Sequence, residues 1–210
     1  PIGLIAGTPL YFMVRNALPV RTFAEFAALA RTAPGGLSNG HAGVGSTNHL
    51  ACALFGHVSG LRLNAIPYRG EAPAVNDLVA GQIDSACVLA PAAVPQLQAG
   101  TARALMIAAP ERSTTVPDVP TSREAGLEGF LFQGWNAVFA PKGTPQPVVA
   151  KLSGALAAAV GDPAVKRRIE ELGSVPPRPE QTGPDALREL VRSEVERWAA
   201  VVRAAGIAEQ

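Results

Sequence analysis

LRLNAIPYRGEAPAVNDLVAGQIDSACVLAPAAVPQLQAGTARALMIAA, residues 61–109, decides the fold. LRLNAIPY (61–68) reads as a strand, and EAPAVNDLVAG (71–81) as a helix that buries Val75, Leu78 and Val79 and closes at Gly81. IDSACVLA (83–90) is the next strand, PAAVPQLQAG (91–100) a short helix, and ARALMIAA (102–109) another strand. Strand-helix units of this length, repeated, predict a parallel-rich α/β sheet with right-handed crossovers.

Towards the N-terminus the pattern continues. TFAEFAALARTAPGG (22–36) holds Thr22 and Glu25 in capping-box positions, sets Phe23, Phe26, Leu29 and Ala30 on one face, and stops at Pro34-Gly35-Gly36. A short strand over 37–39 leads into NGHAGVGSTNHLACALF (39–55), where Leu50, Ala53, Leu54 and Val58 follow helical spacing up to Gly60. PIGLIAGTPLYFMV (1–14) is an apolar, strand-like run with no starting Met, basic leader or small-residue cleavage site, so the chain reads as beginning inside a structure.

Towards the C-terminus the chain turns irregular over 110–120, and Thr121 to Glu124 make a second capping box for a helix stopped by Gly126. FQGWNAVFAPKGTP (132–145) is extended, reads as a crossing between lobes, and ends in Thr144-Pro145, an N-cap with a first-turn proline. Three helices follow: one marked by Val148, Val149, Leu152 and Leu156, one opened by Asp162-Pro163 and running to Gly173, and one marked by Leu187, Leu190, Val191, Trp198 and Val202 and closing at Gly206.

With 210 residues, 48% of them apolar, the chain can bury a sizeable core. Only 17% of residues are charged and the net charge is +1, which argues against a nucleic-acid partner or an anionic membrane surface. The apolar stretch 148–160 is interrupted by Lys151 and too short to cross a bilayer. Cys52 and Cys87 lack C-x-x-C spacing and read as buried free thiols.

The motif at 39–55 offers four readings. A metal site needs converging ligands, but His41 and His49 flank a glycine loop and His57 lies two turns further on. Nucleophilic catalysis would use Ser46 and His49, three residues apart, yet GVGST is not G-x-S-x-G and nothing designates a third group to orient the histidine. Anion binding asks only that glycines turn the backbone so that amides converge where a helix begins, and the helix dipole favours negative charge there. Without a P-loop lysine, a small carboxylate suits it better than a nucleotide. The plain alternative is a strand-to-helix turn with Ser46 as its cap. PYRG (67–70) and LAPAA (89–93) make equivalent turns, and in a parallel sheet all three lie at the strands' carboxyl ends, where open α/β folds bind ligands. There Tyr68 offers a hydroxyl and Arg69 a charge, unless Tyr68 plugs an interface and Arg69 is simply solvated.

The collinear set TPLYFMV, FAEFAALARTAPGGLSNGHAGVGSTNHLACALF, IPYRGEAPAVNDLVAGQID, ALMIAAPERSTTVPDVPTSREAGLEGF, GWNAVFAPKGTP and WAAVVRAAGI resembles the Bug, or tripartite tricarboxylate transporter receptor, family across essentially the whole chain. The resemblance implies a bacterial periplasmic solute-binding protein of the two-lobed type 2 fold. Such a receptor closes on a small carboxylate and presents it to membrane subunits of a transporter, with no catalysis, metal or cofactor. Carried over residue by residue, the ligand-binding loop is Ala42, Gly43, Val44, Gly45, Ser46, Thr47 and His49, and Tyr68 matches the family's Pro-Tyr-Lys-Gly tyrosine. Val44 stands where relatives commonly carry Asn, and Val88 where many carry a polar or acidic residue near the cleft. A Val88 lining the pocket would leave a ligand ammonium unsatisfied, which favours carboxylates with an apolar or aromatic body over amino acids. Family members begin with a signal peptide and a long segment that builds much of the first lobe, neither of which is in this sequence. The resemblance therefore implies an incomplete first lobe, 1–14 with 133–210, and a second, ligand-binding lobe, 15–132. Exposed edges and faces in such a lobe make association with itself or with another protein, without solute binding, the alternative expectation, and a Ser46/His49 hydrolase the remaining one.

Overall fold

Strand β1 (Gly3–Arg15) is buried at almost every position, as a continuous apolar run covered on both faces should be. In the computed structural model, which describes residues 1–204, the chain divides into two units: Pro9–Gly134, and Pro1–Thr8 with Trp135–Gln210.

The larger unit is a sheet between two helical layers. Its strands are the second part of β1, then β2 (Ser38–His41), β3 (Asn64–Pro67), β4 (Ser85–Leu89) and β5 (Ala102–Ile107), in the order β3-β2-β4-β1-β5. β2 is parallel to β3 and β4, whereas β1 is antiparallel to β4 and to β5. The sheet is therefore mixed. The parallel-rich expectation holds for β3-β2-β4, and the chain passes from β4 to β5 over an inserted strand of opposite direction.

Alternation along β1 assigns the two layers. Phe12 turns to one face, where its ring stacks on Phe55 at 4.0 Å and meets Phe26 edge-on at 5.0 Å. These come from α1 (Phe23–Thr32) and α2 (Thr47–Ser59). Tyr11 and Met13 turn to the other, joining Val75 and Leu78 of α3 (Glu71–Val79) and Val94 of α4 (Ala90–Gln98). Burying each such side chain contributes about 1.5–3 kcal/mol. The capping box of α1 is formed, with Glu25 N–H donating to Thr22 Oγ1 and Thr22 N–H to Glu25 Oε2, both at 3.2 Å.

The second capping box forms as well, but no helix follows it. Glu124 N–H donates to Thr121 Oγ1 at 3.2 Å, yet Ser122 N–H is taken by Ile107 O at 2.9 Å and Gly126, at φ +84°, reverses the chain. One helical turn closes, with Ala125 N–H donating to Thr121 O at 2.9 Å, and the reversal at Gly126 ends it there.

In the smaller unit the start of the chain pairs with β6 (Gln133–Val138): Ile2 N–H donates to Val138 O at 2.9 Å, and Asn136 Nδ2 to Thr8 Oγ1 at 2.9 Å. Helices α5 (Gln146–Gly161), α6 (Pro163–Glu171) and α7 (Pro184–Ala204) complete it. Asp162 caps α6 through the amides of Ala164 and Val165. Thr144 is not the cap of α5: its hydroxyl donates to Pro141 O at 2.9 Å and Pro145 takes the cap position. Gly206, expected to close the last helix, lies outside the described residues. Among those residues no single helix is long and apolar enough to cross a membrane.

Candidate anion site

Because β2, β3 and β4 run in parallel, the turns leading to α2, α3 and α4 share one edge of the sheet. The first two turns are tied by Tyr68 N–H donating to His41 O at 2.9 Å. Gly43 at φ +109° and Gly45 at φ +76° take conformations other residues rarely adopt, and a Cβ on Gly43 would meet Tyr68 O at 3.2 Å. The glycines therefore set the bend that delivers the chain to Ser46.

Ser46 is the N-cap of α2. Its Oγ accepts from His49 N–H at 3.1 Å and donates to Gly43 O at 2.7 Å. Ser46 N–H is spent on Gly43 O at 3.2 Å, and Gly45 N–H on His49 Nδ1 at 3.2 Å. Among the described residues the amides of Gly43, Val44, Thr47 and Asn48 donate to no protein group. Val44 is 58% exposed, and Gly45 and Thr47 are exposed too. The bend is thus an open helix start with unspent donors, the arrangement that attracts an anion.

The His49 imidazole accepts within this loop, and His41 lies beside it. His41 is buried against His49, with ring centroids 4.5 Å apart. Burial lowers the pKa of both, and in His41 the neighbouring His49 adds to the effect. Among the described residues no three His, Cys, Asp or Glu side chains converge, and His57 is exposed at the far end of α2. The hydrolase arrangement is not assembled either: Ser46 Oγ bonds to backbone groups and the His49 imidazole to Gly45 N–H, so hydroxyl and ring do not bond to each other.

Other expected residues sit elsewhere. The Tyr68 hydroxyl donates to Asp77 Oδ2 at 2.7 Å; burial, then Asp77, pushes its pKa up to about 12. It ties α3 to the sheet instead of offering a proton to a ligand. Arg69 is exposed. Val88 is 1% exposed, opposite Tyr11 and packed within the α3/α4 core, so its side chain is closed to a ligand and the preference drawn from it falls away. The third turn has its donor filled internally, since Leu89 N–H donates to Glu71 Oε1 at 2.7 Å.

Asn48 and Glu71 were not singled out on sequence. Asn48, 4% exposed, donates through Nδ2 to Glu71 Oε1 at 2.6 Å and to Cys87 O at 2.8 Å. The available signal was an Asn in the first turn of a helix, where the amide is a weak former, opposite an acid that opens the next helix. Cys52 and Cys87 are free; burial, then the adjacent Cys52, raises the Cys87 pKa well above its usual range. The thiols are neighbours beneath the loop.

Residues 1–207 match the family model described as tripartite tricarboxylate transporter family receptor. The chain belongs to that family. An Agrobacterium vitis protein encoded in the TAR-I ttuE-ttuC' intergenic region is 37% identical over 205 residues, covering 98% of this chain and 59% of its own length. The chain thus spans less than two thirds of that relative. MatC from Rhodopseudomonas palustris, solved with bound malate, is 40% identical with a TM-score of 0.90 over 96% of this chain and 69% of its own. Rpa4515 of R. palustris, solved with adipate, is 34% identical with a TM-score of 0.93 over 99% and 69%. The periplasmic binding protein BugD is 34% identical with a TM-score of 0.92 over 100% and 70%. The α/β fold is that of these periplasmic binding proteins, and relatives in the family bind carboxylates.

Proposed function

We propose that this chain is the carboxylate-binding part of a periplasmic receptor that supplies a tripartite tricarboxylate-type transporter. The observation that carries the reading is the bend at 43–48, exposed at Val44, Gly45 and Thr47, whose unspent amides begin α2. The ligand carboxylate accepts from Thr47 and Asn48 and from the Gly43-Val44 bend, with the Thr47 hydroxyl beside them. Nothing covalent is asked of Ser46, whose hydroxyl holds the bend in shape. The malate and adipate of the relatives define the chemistry to try first, small dicarboxylates. Titration calorimetry with malate, adipate and their diamides tests it. Binding of the acids and not of the diamides is expected; equal binding of both, or of neither, refutes the site.

A second reading has its own observation. In the smaller unit, α5 is almost wholly apolar, and Val148 and Leu152 are each 45% exposed. Self-association through that helix is the alternative, and a monomer by light scattering at high concentration refutes it.

A further inference from the structure

All three turns at the edge of the sheet meet at one carboxylate. Glu71 opens α3, and its Oε1 accepts from Asn48 Nδ2 in the first turn of α2 at 2.6 Å and from Leu89 N–H, the cap residue of α4, at 2.7 Å. The Asn48 amide also donates to Cys87 O of β4 at 2.8 Å, so the first turn of α2 is pinned at a buried point from two directions. Ser46 controls the same turn from the other end, but only through the glycine bend itself. Tyr68 N–H already ties the start of the loop to the next turn at His41 O, and Glu71 adds the tie that joins the helix start at Asn48 to both neighbouring turns.

We propose that Glu71 is a positioning residue of the anion site: by holding Asn48 and Leu89 on one oxygen, it fixes the turn that carries the unspent Thr47 and Asn48 amides. The inference rests on the anion-site reading and adds to it a residue that touches no ligand. Two consequences separate it from a general structural role. First, the requirement is for an acceptor oxygen, so an amide replacement suffices where a methyl does not. Second, the effect is local to the α2 turn, because α3 keeps its other tie through Tyr68 and Asp77.

The test compares Glu71→Gln and Glu71→Ala. Nitrogen-15 relaxation on the ligand-free chain reads the order of the Thr47 and Asn48 amides, and calorimetry reads affinity for malate and adipate. Glu71→Ala is expected to lower the order of those amides while those of α3 stay unchanged, and to weaken binding tenfold or more; Glu71→Gln restores both, affinity to within a factor of three. Unchanged order in a folded Glu71→Ala, or a Glu71→Gln as damaged as the alanine, overturns the proposal. If Glu71→Ala does not fold, Asn48→Ala takes its place, removing the α2 donor while Leu89 keeps its acceptor. If the unaltered chain binds neither acid, the anion-site reading fails, and relaxation alone still decides whether Glu71 holds the turn.

Discussion

Thr47→Pro removes one amide hydrogen from the candidate site together with the Thr47 hydroxyl. Thr47 is the first residue of α2, where a helix has no partner for its N–H and where proline's fixed φ is already suitable. A proline also restricts the residue before it to extended conformations, and Ser46 stands at φ −68°, ψ 161°. The Thr47 amide makes no bond to protein among the described residues, so none is lost. Stability should stay level or rise by about 0.4–1 kcal/mol, through fewer unfolded conformations. Binding should not stay level. A hydrogen bond to a charged group contributes about 1.5–3 kcal/mol, which at about 1.4 kcal/mol per tenfold predicts a ten- to hundredfold loss of carboxylate affinity. Thr47→Ala is the control, since it discards the hydroxyl and keeps the amide. Thermal melts together with calorimetry decide the matter. A Thr47→Pro chain that melts normally and binds malate or adipate as tightly as Thr47→Ala would refute the claim that helix-start amides hold the ligand.

Gly43→Ala combines a φ of +109° with a 3.2 Å approach to Tyr68 O, a backbone atom that cannot swing aside, and should cost about 1–3 kcal/mol in a denaturant melt. The pH dependence follows from His41 and His49, whose folded pKa values burial holds below the usual value of about 6.5. As pH falls through that value the unfolded chain takes protons before the folded one does, so stability declines below about pH 6.5 and stops declining once the folded rings protonate. Melting temperatures from pH 8 to pH 5 should show the fall, and His49→Gln should reduce it; a flat profile in the unaltered chain would contradict the burial of these rings.

Why the alternation was legible and the sheet's handedness of order was not is a matter of range. Gly81, Gly60 and the Thr22-Glu25 box act within a few residues, and each marks a helix end that the structure contains. The direction of β1 has no local cause. Its apolar run is equally suited to either orientation, and what fixes it is the register of Leu10 to Val14 against Leu89 to Ser85, some 70 to 80 residues along the chain. At Thr121 the cap also formed as written, and Gly126 ended the segment after one turn.

The site divides along the same line. The bend could be read from glycines and a cap because its geometry is made by adjacent residues. Val88 could not, since period-two alternation leaves open which face of β4 meets the core, and here the face with Val88 meets α3 and α4. Glu71 was hidden for a related reason: an acid in a first turn has an ordinary local role beside the helix dipole, and only the folded sheet edge puts Asn48 and Leu89 within reach of its oxygen. An anion site assembled from backbone amides thus leaves its primary donors visible as glycine spacing, while the side chains that hold those donors still are scattered through the chain as residues with duller explanations.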